Sequence, residues 1–366
     1  MKLNRLSIAA FRNLQQVEFN PGERFNILHG NNAQGKTNLL ESIYLLGTMK
    51  SFRHARNRDL ITWQAPHGII RGWVERDGVT REIALLLERE GKKARIDQKL
   101  VTRLTDFFGS LNVVVFAPEE LAMLKGSPEA RRRYLDRAVF SGSPTYILLY
   151  HDYYRLLKNR NALLKTGDMT GLDIWSEQLA DAGARLARER IAYLADIEPL
   201  LQDYYRTIAG TGETVGIGYR PHGIEREALI ADGRNAILAG LERSAHEERR
   251  HGTTAVGPHR DDLEFLLDGR LLKLHASQGQ QRSFILALKM AEIEYLQRTF
   301  GAPPILLLDD MTSELDGERN RNLLGFLQQK EMQVFITTTS LRNIMFDGMD
   351  HHTTFHVEQG KVITQR

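Results

Sequence analysis

The sequence predicts an α/β fold: a mixed sheet carrying a glycine-rich loop, an antiparallel β subdomain, and an inserted all-helical domain. Three observations predict it. The short apolar stretch Arg24 to His29 runs into Gly30-Asn31-Asn32-Ala33-Gln34-Gly35-Lys36-Thr37, and apolar residues at helical spacing follow up to Leu46. Between Gly72 and Asp97 the strands are separated by Asp77-Gly78 and Glu90-Gly91, which are hairpin turns. From about residue 120 to 206 the period becomes that of helices. The expected division is therefore discontinuous, with 1–119 and 207–366 in one domain and 120–206 as the helical lid or arm.

The first element fixes the rest. Gly30 to Thr37 spells G-x-x-x-x-G-K-[ST] between a strand and a helix, the setting that a phosphate-binding loop requires. Glycine at 30 and 35 admits backbone angles that turn successive N–H groups toward an anion. The helix beginning there adds the positive end of its dipole, and its end is expected at Gly47. Asn31, Asn32, Ala33 and Gln34 complete the cradle, Lys36 meets the outer phosphates, and the Thr37 hydroxyl ligates Mg²⁺. The ligand is a nucleoside triphosphate.

Upstream, Leu6 to Phe11 and Gln16 to Phe19 are strands around an Arg12-Asn13 turn. Downstream, Asn112 to Phe116 is a buried strand stopped by Pro118. Ser127-Pro128-Glu129 and Ser143-Pro144 are helix starts, and a third long helix runs from near Asp173 to Glu198, where Pro199 is expected to kink or end it. Val215 to Tyr219 returns to strand, Glu225 to His251 is helical, and Leu263–Leu267 with Leu271–Leu274 flank Asp268-Gly269 as a hairpin.

Two later segments carry chemistry. Pro304-Ile305-Leu306-Leu307-Leu308-Asp309-Asp310 is a central parallel strand whose acids emerge at its carboxyl end. Asp309 is placed to hold Mg²⁺ through water with Thr37, and Asp310 to orient or deprotonate the attacking water. His275-Ala276-Ser277-Gln278-Gly279-Gln280-Gln281 opens an amphipathic helix through Leu286, Met290, Ile293 and Leu296.

Composition sets bounds. The 366 residues allow a large core, and 42% hydrophobic with 26% charged residues is ordinary for a globular protein. No run reaches transmembrane length and the amino end leads into a strand, which fits a cytosolic chain. With no cysteine, disulfides, Cys-based zinc sites and thiol catalysis are excluded. The net charge of +3, with pI near 9.0, permits a polyanionic partner without demanding one.

The order of these elements resembles ABC-type ATPase heads: a phosphate loop near the amino end, Ser-x-Gly-Gln on a helix start, and a hydrophobic strand ending in acids. Ser313-Glu314-Leu315-Asp316 looks like that group's D-loop. The wide, helix-filled interval between Gly30 and Ser277 resembles the SMC-like branch. Within it, Phe11-Arg12-Asn13-Leu14, Ser51-Phe52-Arg53, Lys125-Gly126-Ser127-Pro128, Arg131-Arg132-Arg133 and Gly257-Pro258-His259-Arg260-Asp261-Asp262 resemble the RecF family of DNA replication and repair proteins, over essentially the full length.

The resemblance implies an ATP-dependent, duplex-DNA-binding protein of recombinational gap repair. It implies an ATP-dependent homodimer, slow hydrolysis, and action with RecR and RecO to place RecA at single-strand gaps. It also implies that Ser277 and the Gly279 amide cap the γ-phosphate held by the opposite subunit. The sequence departs from the ABC pattern in four places. Ala276 and Gln278 replace Leu and Gly, and Asp310 replaces a commoner Glu. Phe335-Ile336-Thr337-Thr338-Thr339 lacks the switch histidine, leaving a threonine hydroxyl to stand in, and no clear glutamine loop follows Phe116. All four leave ATP binding intact and suit a switch better than a motor.

Phosphate neutralisation calls for basic clusters, and two are present: Lys50, Arg53, Arg56 and Arg58, and Arg131, Arg132, Arg133 with Arg137. The alternative for each is a solvated basic face paired with acids. Two other functions share the loop. A transporter nucleotide-binding subunit would carry a fuller signature and a switch histidine. A small-molecule kinase has no reason to carry Ser277-Gln278-Gly279-Gln280 or Ser313 to Asp316.

Overall fold

The computed structural model describes residues 1–365 apart from 168–169, 211, 311–316, 344–348 and 350, so the Ser313-to-Asp316 segment lies outside the described residues. The chain divides into two compact units, one of Met1–Ala122, Thr207–Gly210 and Gln278–Arg366, the other of Met123–Arg206 and Thr211–Ser277.

The first unit is built on a six-stranded mixed sheet in the order Lys361–Gln365, His352–Glu358, Phe25–His29, Val334–Thr338, Ile305–Leu308, Val113–Phe116. The last five run parallel and only the terminal hairpin strand is antiparallel. All residues of Val113–Phe116, Ile305–Leu308 and Val334–Thr338 are buried, which explains their unbroken apolar runs: a parallel sheet is covered on both faces.

A second, antiparallel sheet has the order Leu14–Phe19, Lys2–Phe11, Gly68–Arg76, Val79–Leu87, Lys92–Ile96, Lys99–Leu100. Its alternating inner residues, Leu3, Leu6, Ile8, Ile70, Val74 and Ile83, share one core with Leu39, Ile43 and Leu46 of the helix Lys36–Thr48. Each such side chain contributes roughly 1.5–3 kcal/mol by leaving water. Gly47 does not end that helix. It stays inside because a Cβ there would lie 2.7 Å from the Leu111 carbonyl oxygen, and the helix is closed instead by Met49 at φ 54°.

The second unit holds the helices Pro128–Gly142, Tyr146–Thr166, Arg226–Arg243 and Ala245–His251, and most of Leu172–Ala209. Ser127 caps the first of them, accepting from the Ala130 amide, with Pro128 at its first position. The structure differs from the sequence reading at two places here. Pro199 sits inside an unbroken 38-residue helix, because the buried stripe of Ile197, Leu201 and Tyr205 continues past it and outweighs the roughly 3 kcal/mol that an interior proline costs. Residues 211–277 also belong to this unit rather than to the nucleotide domain. Their sheet, Arg270–Leu271, Asp262–Leu267, Val215–Arg220, lies on the helix Pro128–Gly142, where Arg131 grips Asp262 and the Tyr134 and Phe265 rings meet edge-on at 6.4 Å. The hairpin around Asp268-Gly269 forms, but its second strand is only Arg270–Leu271, and Leu272–His275 is a short helical turn.

Candidate nucleotide site

The glycine loop leaves the sheet between two parallel neighbours and enters the helix Lys36–Thr48 at Gly35. Gly30, Ala33 and Gly35 have φ of 147°, 63° and 115°, so the backbone turns where sequence placed the cradle. Glycine is required at the first of these, since a Cβ on Gly30 would stand 2.3 Å from the Val357 carbonyl oxygen. Lys36 is buried over the loop, with its ammonium donating to the carbonyls of Gly30 at 2.7 Å and Asn31 at 2.8 Å. Burial lowers its pKa, and the charges of Asp310 and Asp309 work against that shift.

The acids arrive from the neighbouring strand. Asp309, at the carboxyl end of Ile305–Leu308, accepts from the Thr37 hydroxyl at 2.9 Å and the Thr337 hydroxyl at 2.8 Å on one carboxylate oxygen. Thr337 in turn accepts from the Asp310 amide at 2.9 Å. Asp310 takes the left-handed backbone, φ 52°. Thr37, Asp309 and Asp310, far apart in sequence, thus meet in a cavity of about 400 Å³ lined also by Asn13, Lys36 and Arg53. A threonine hydroxyl and a buried carboxylate are hard oxygen donors of the kind Mg²⁺ takes, and the loop offers backbone N–H groups and an ammonium to a phosphate. The residues present fit both groups.

The loop is braced from two sides. Asn13 donates to the Ala33 carbonyl at 3.5 Å and accepts from Asn38 at 2.7 Å. Below, Glu41 is wholly buried on the loop's own helix, where Arg12 donates to both its oxygens at 2.9 and 3.0 Å and the Ser51 hydroxyl donates to one of them. The same Ser51 oxygen accepts from the amides of Arg53 and Ala55 at 3.1 Å. Glu41 therefore ties the Arg12 turn and the Arg53 loop to the helix that opens at the phosphate site.

The basic clusters separate. Arg131 is buried and bidentate to Asp262 at 2.8 and 2.7 Å, with its third nitrogen on the Gly126 carbonyl, so it is a structural cation. Arg132 donates to the Asp261 carbonyl, and Arg133 pairs with Glu129 one turn away. Lys50, Arg56 and Arg58 are exposed, with Arg58 beside Asp59 at 3.5 Å. Arg53 is exposed as well, but it donates to Asn38 at 3.3 Å and lines the nucleotide cavity. Ser277 is exposed and Gly279 half-buried at the open end of the helix Gln278–Phe300, and Gly279 is not among the residues lining the cavity.

Sequence reasoning missed a second cavity. It measures about 890 Å³, shares Asn13, Asn38 and Arg53 with the first, and adds Arg58, Arg89 and a Trp63 that is 88% exposed. A lone tryptophan in the polar run Thr62-Trp63-Gln64 was the available signal.

A parallel sheet with a glycine loop at its centre, a threonine–aspartate pair at its carboxyl edge and an antiparallel β subdomain packed on the loop helix defines a P-loop ATPase head of the ABC type. A family model described as the RecF/RecN/SMC N terminal domain matches residues 2–364. The DNA replication and repair protein RecF of Geotalea uraniireducens (strain Rf4) is 57% identical over 363 residues, covering 99% of this chain and 100% of its own. That of Geobacter metallireducens is 58% identical over 362 residues, covering 99% of each. Among solved structures, the recombination mediator protein RecF–ATP of the RecFOR pathway superposes with a TM-score of 0.90 at 30% identity, covering 100% of this chain and 97% of that one. An Smc head bound to the C-winged helix domain of ScpA reaches 0.56 at 16% identity, covering 100% and 98%, and shares the fold alone. The chain belongs to the RecF family of DNA replication and repair proteins. No helix among the described residues is long and apolar enough to cross a membrane.

Proposed function

We propose that this chain is an ATP-gated DNA-binding protein of recombinational gap repair and replication maintenance. It holds Mg–ATP, closes into a homodimer, and grips duplex DNA near single-strand gaps, where with RecR and RecO it helps to load the RecA recombinase. Slow ATP hydrolysis releases it. The observation that carries this reading is the convergence of Thr37 and Asp309 at 2.9 Å beside Lys36. The family's name and the RecF–ATP structure of the RecFOR pathway support the rest.

In this reading the loop amides and Lys36 bind the phosphates, and Thr37 and Asp309 hold the metal. The bound Mg²⁺ supplies charge neutralisation at the outer phosphates. Arg53, on the wall that both cavities share, reaches the phosphate chain, and the nucleoside end lies toward Thr62 and Trp63. Asp310 orients the attacking water and accepts its proton. Ser277 and the Gly279 amide lie at the start of the helix Gln278–Phe300 and serve the nucleotide of a second subunit, again a helix N-terminus on an anion. The exposed Lys50, Arg56 and Arg58 are the remaining candidates for phosphate contacts on DNA, with Arg132 and Arg133 secondary.

Light scattering with and without Mg–ATP tests this. The mass should double with ATP, and Lys36→Ala should lose both nucleotide binding and the doubling. A chain that stays monomeric when saturated with Mg–ATP and duplex DNA ends the proposal.

A further inference from the structure

The phosphate loop is also held by the far end of the chain. The strand His352–Glu358 runs parallel to Phe25–His29, with His356 opposite His29, and continues where its neighbour stops. Its next two residues form a tight turn, Gln359 at φ 48° and Gly360 at φ 73°, before Lys361–Gln365 returns antiparallel. That turn overhangs the loop. The Gln359 amide donates to the Gln34 side-chain oxygen at 2.7 Å, and the Gly360 amide donates to the Gln34 backbone carbonyl at 2.9 Å. Only glycine fits at 360, because a Cβ there would stand 2.4 Å from the Asn13 carbonyl oxygen, and Asn13 itself braces Ala33. Two residues before the turn, the Val357 carbonyl leaves no room for a Cβ on Gly30.

These contacts share a chemical logic. A phosphate loop works when its N–H groups face inward, which turns its carbonyls outward, where they need donors of their own. At Gln34 the backbone carbonyl takes the Gly360 amide, and the side-chain oxygen takes the neighbouring Gln359 amide. The turn touches this loop and the Asn13 turn, so its effect is on loop geometry.

We propose that the Gln359–Gly360 turn is a positioning clamp, which holds the phosphate loop in its binding conformation and thereby sets affinity for a nucleoside triphosphate. The inference rests on the nucleotide reading given above. Gly360→Ala displaces the turn, and Gln34→Met removes the side-chain acceptor at similar volume. Each should weaken Mg–ATP binding, measured by calorimetry, by about five-fold or more, the net worth of one such hydrogen bond. For Gly360→Ala, KM for ATP should rise while kcat stays. The double variant should bind no worse than Gly360→Ala, because the clamp is already gone, and Gln34→Met should keep the parent's unfolding midpoint. Affinities within two-fold of the parent, or losses that simply multiply in the double variant, overturn the clamp. If Gly360→Ala does not fold, Gln34→Met decides alone. Failure of the unmodified chain to bind Mg–ATP would instead remove the nucleotide reading, and the clamp with it.

Discussion

At the scale of single residues, Thr337 does the most with the least. Its hydroxyl has one proton, given to Asp309, and its oxygen accepts the Asp310 amide, so one buried group fixes both acids. Thr337→Val keeps the shape and removes both bonds, taking the Thr337 acceptor from the part-buried Asp310 N–H and one hydroxyl donor from Asp309. Stability should drop by about 1–3 kcal/mol. Because Asp310 sits at φ 52°, losing its amide anchor should lower kcat for ATP hydrolysis more than it raises KM. Equal hydrolysis rates in the two proteins would remove Thr337 from the site. That Lys36, Thr37 and Asp309 come together was legible in the sequence, because a strand–loop–helix and a strand end set their positions locally. The run Phe335 to Thr339 was flagged, but which threonine acts depends on which side chain faces Asp309. Glu41 was not legible at all: a carboxylate on an amphipathic helix reads as surface until Arg12 and Ser51 are seen to meet it. Arg53 was assigned to DNA for its neighbours in the chain, whereas its position relative to Asn38 puts it on the nucleotide cavity.

At the scale of elements, periodicity located strands and helices well and their partners poorly. Gly47 read as a helix end and Pro199 as a kink or an end, and both sit inside helices: glycine at 47 makes room for the Leu111 carbonyl, and a buried stripe continues past Pro199. The segment Gly257 to Asp262 was recognised as a family signature without a role. It proves to be the buried polar joint of the second unit, where Arg190 reaches Asp136 and the Pro258 carbonyl, and Tyr219 donates to Asp261. His259 belongs to the same joint. Its Nε2 faces the Thr254 carbonyl, which only accepts, so Nε2 carries the proton and Nδ1 accepts from the Tyr153 hydroxyl. Burial pushes the ring pKa down to about 4. Between about pH 6.5 and 4 the unfolded chain therefore binds the extra proton, and stability present above 6.5 is lost as pH falls, by about 3 kcal/mol from this group. Burial raises the pKa of Asp261, which acts in the opposite sense, so the total slope mixes the two. His259→Gln isolates the histidine: its acid-side slope should be shallower than the parent's, read by urea unfolding at pH 7, 6, 5 and 4.5. Parallel slopes would show that the ring titrates as it does in water.

At the scale of the whole molecule, a net charge of +3 is too small to hold a polyanion by itself, so any grip on DNA must come from where the cations stand. The structure narrows the choice. Arg131 is buried against Asp262, while Lys50, Arg56 and Arg58 are exposed beside the nucleotide site, Arg58 next to Asp59 much as Arg133 is next to Glu129. A duplex held there would meet the same loop region that Glu41 ties to the phosphate helix, which gives nucleotide state a physical route to DNA affinity. Reversing Lys50, Arg56 and Arg58 to Glu leaves Arg53 in place, so nucleotide binding should persist. Each lost phosphate contact removes about 0.9 from the dependence of log K on log salt, so the slope should become shallower by about 3, with affinity at low salt falling about a thousand-fold or more. Reversing Arg132 and Arg133 should change the slope by less, since Arg132 is committed to the Asp261 carbonyl. Should the first variant bind duplex with the parent's slope while the second loses it, the DNA lies on the second unit and the route through Glu41 does not exist.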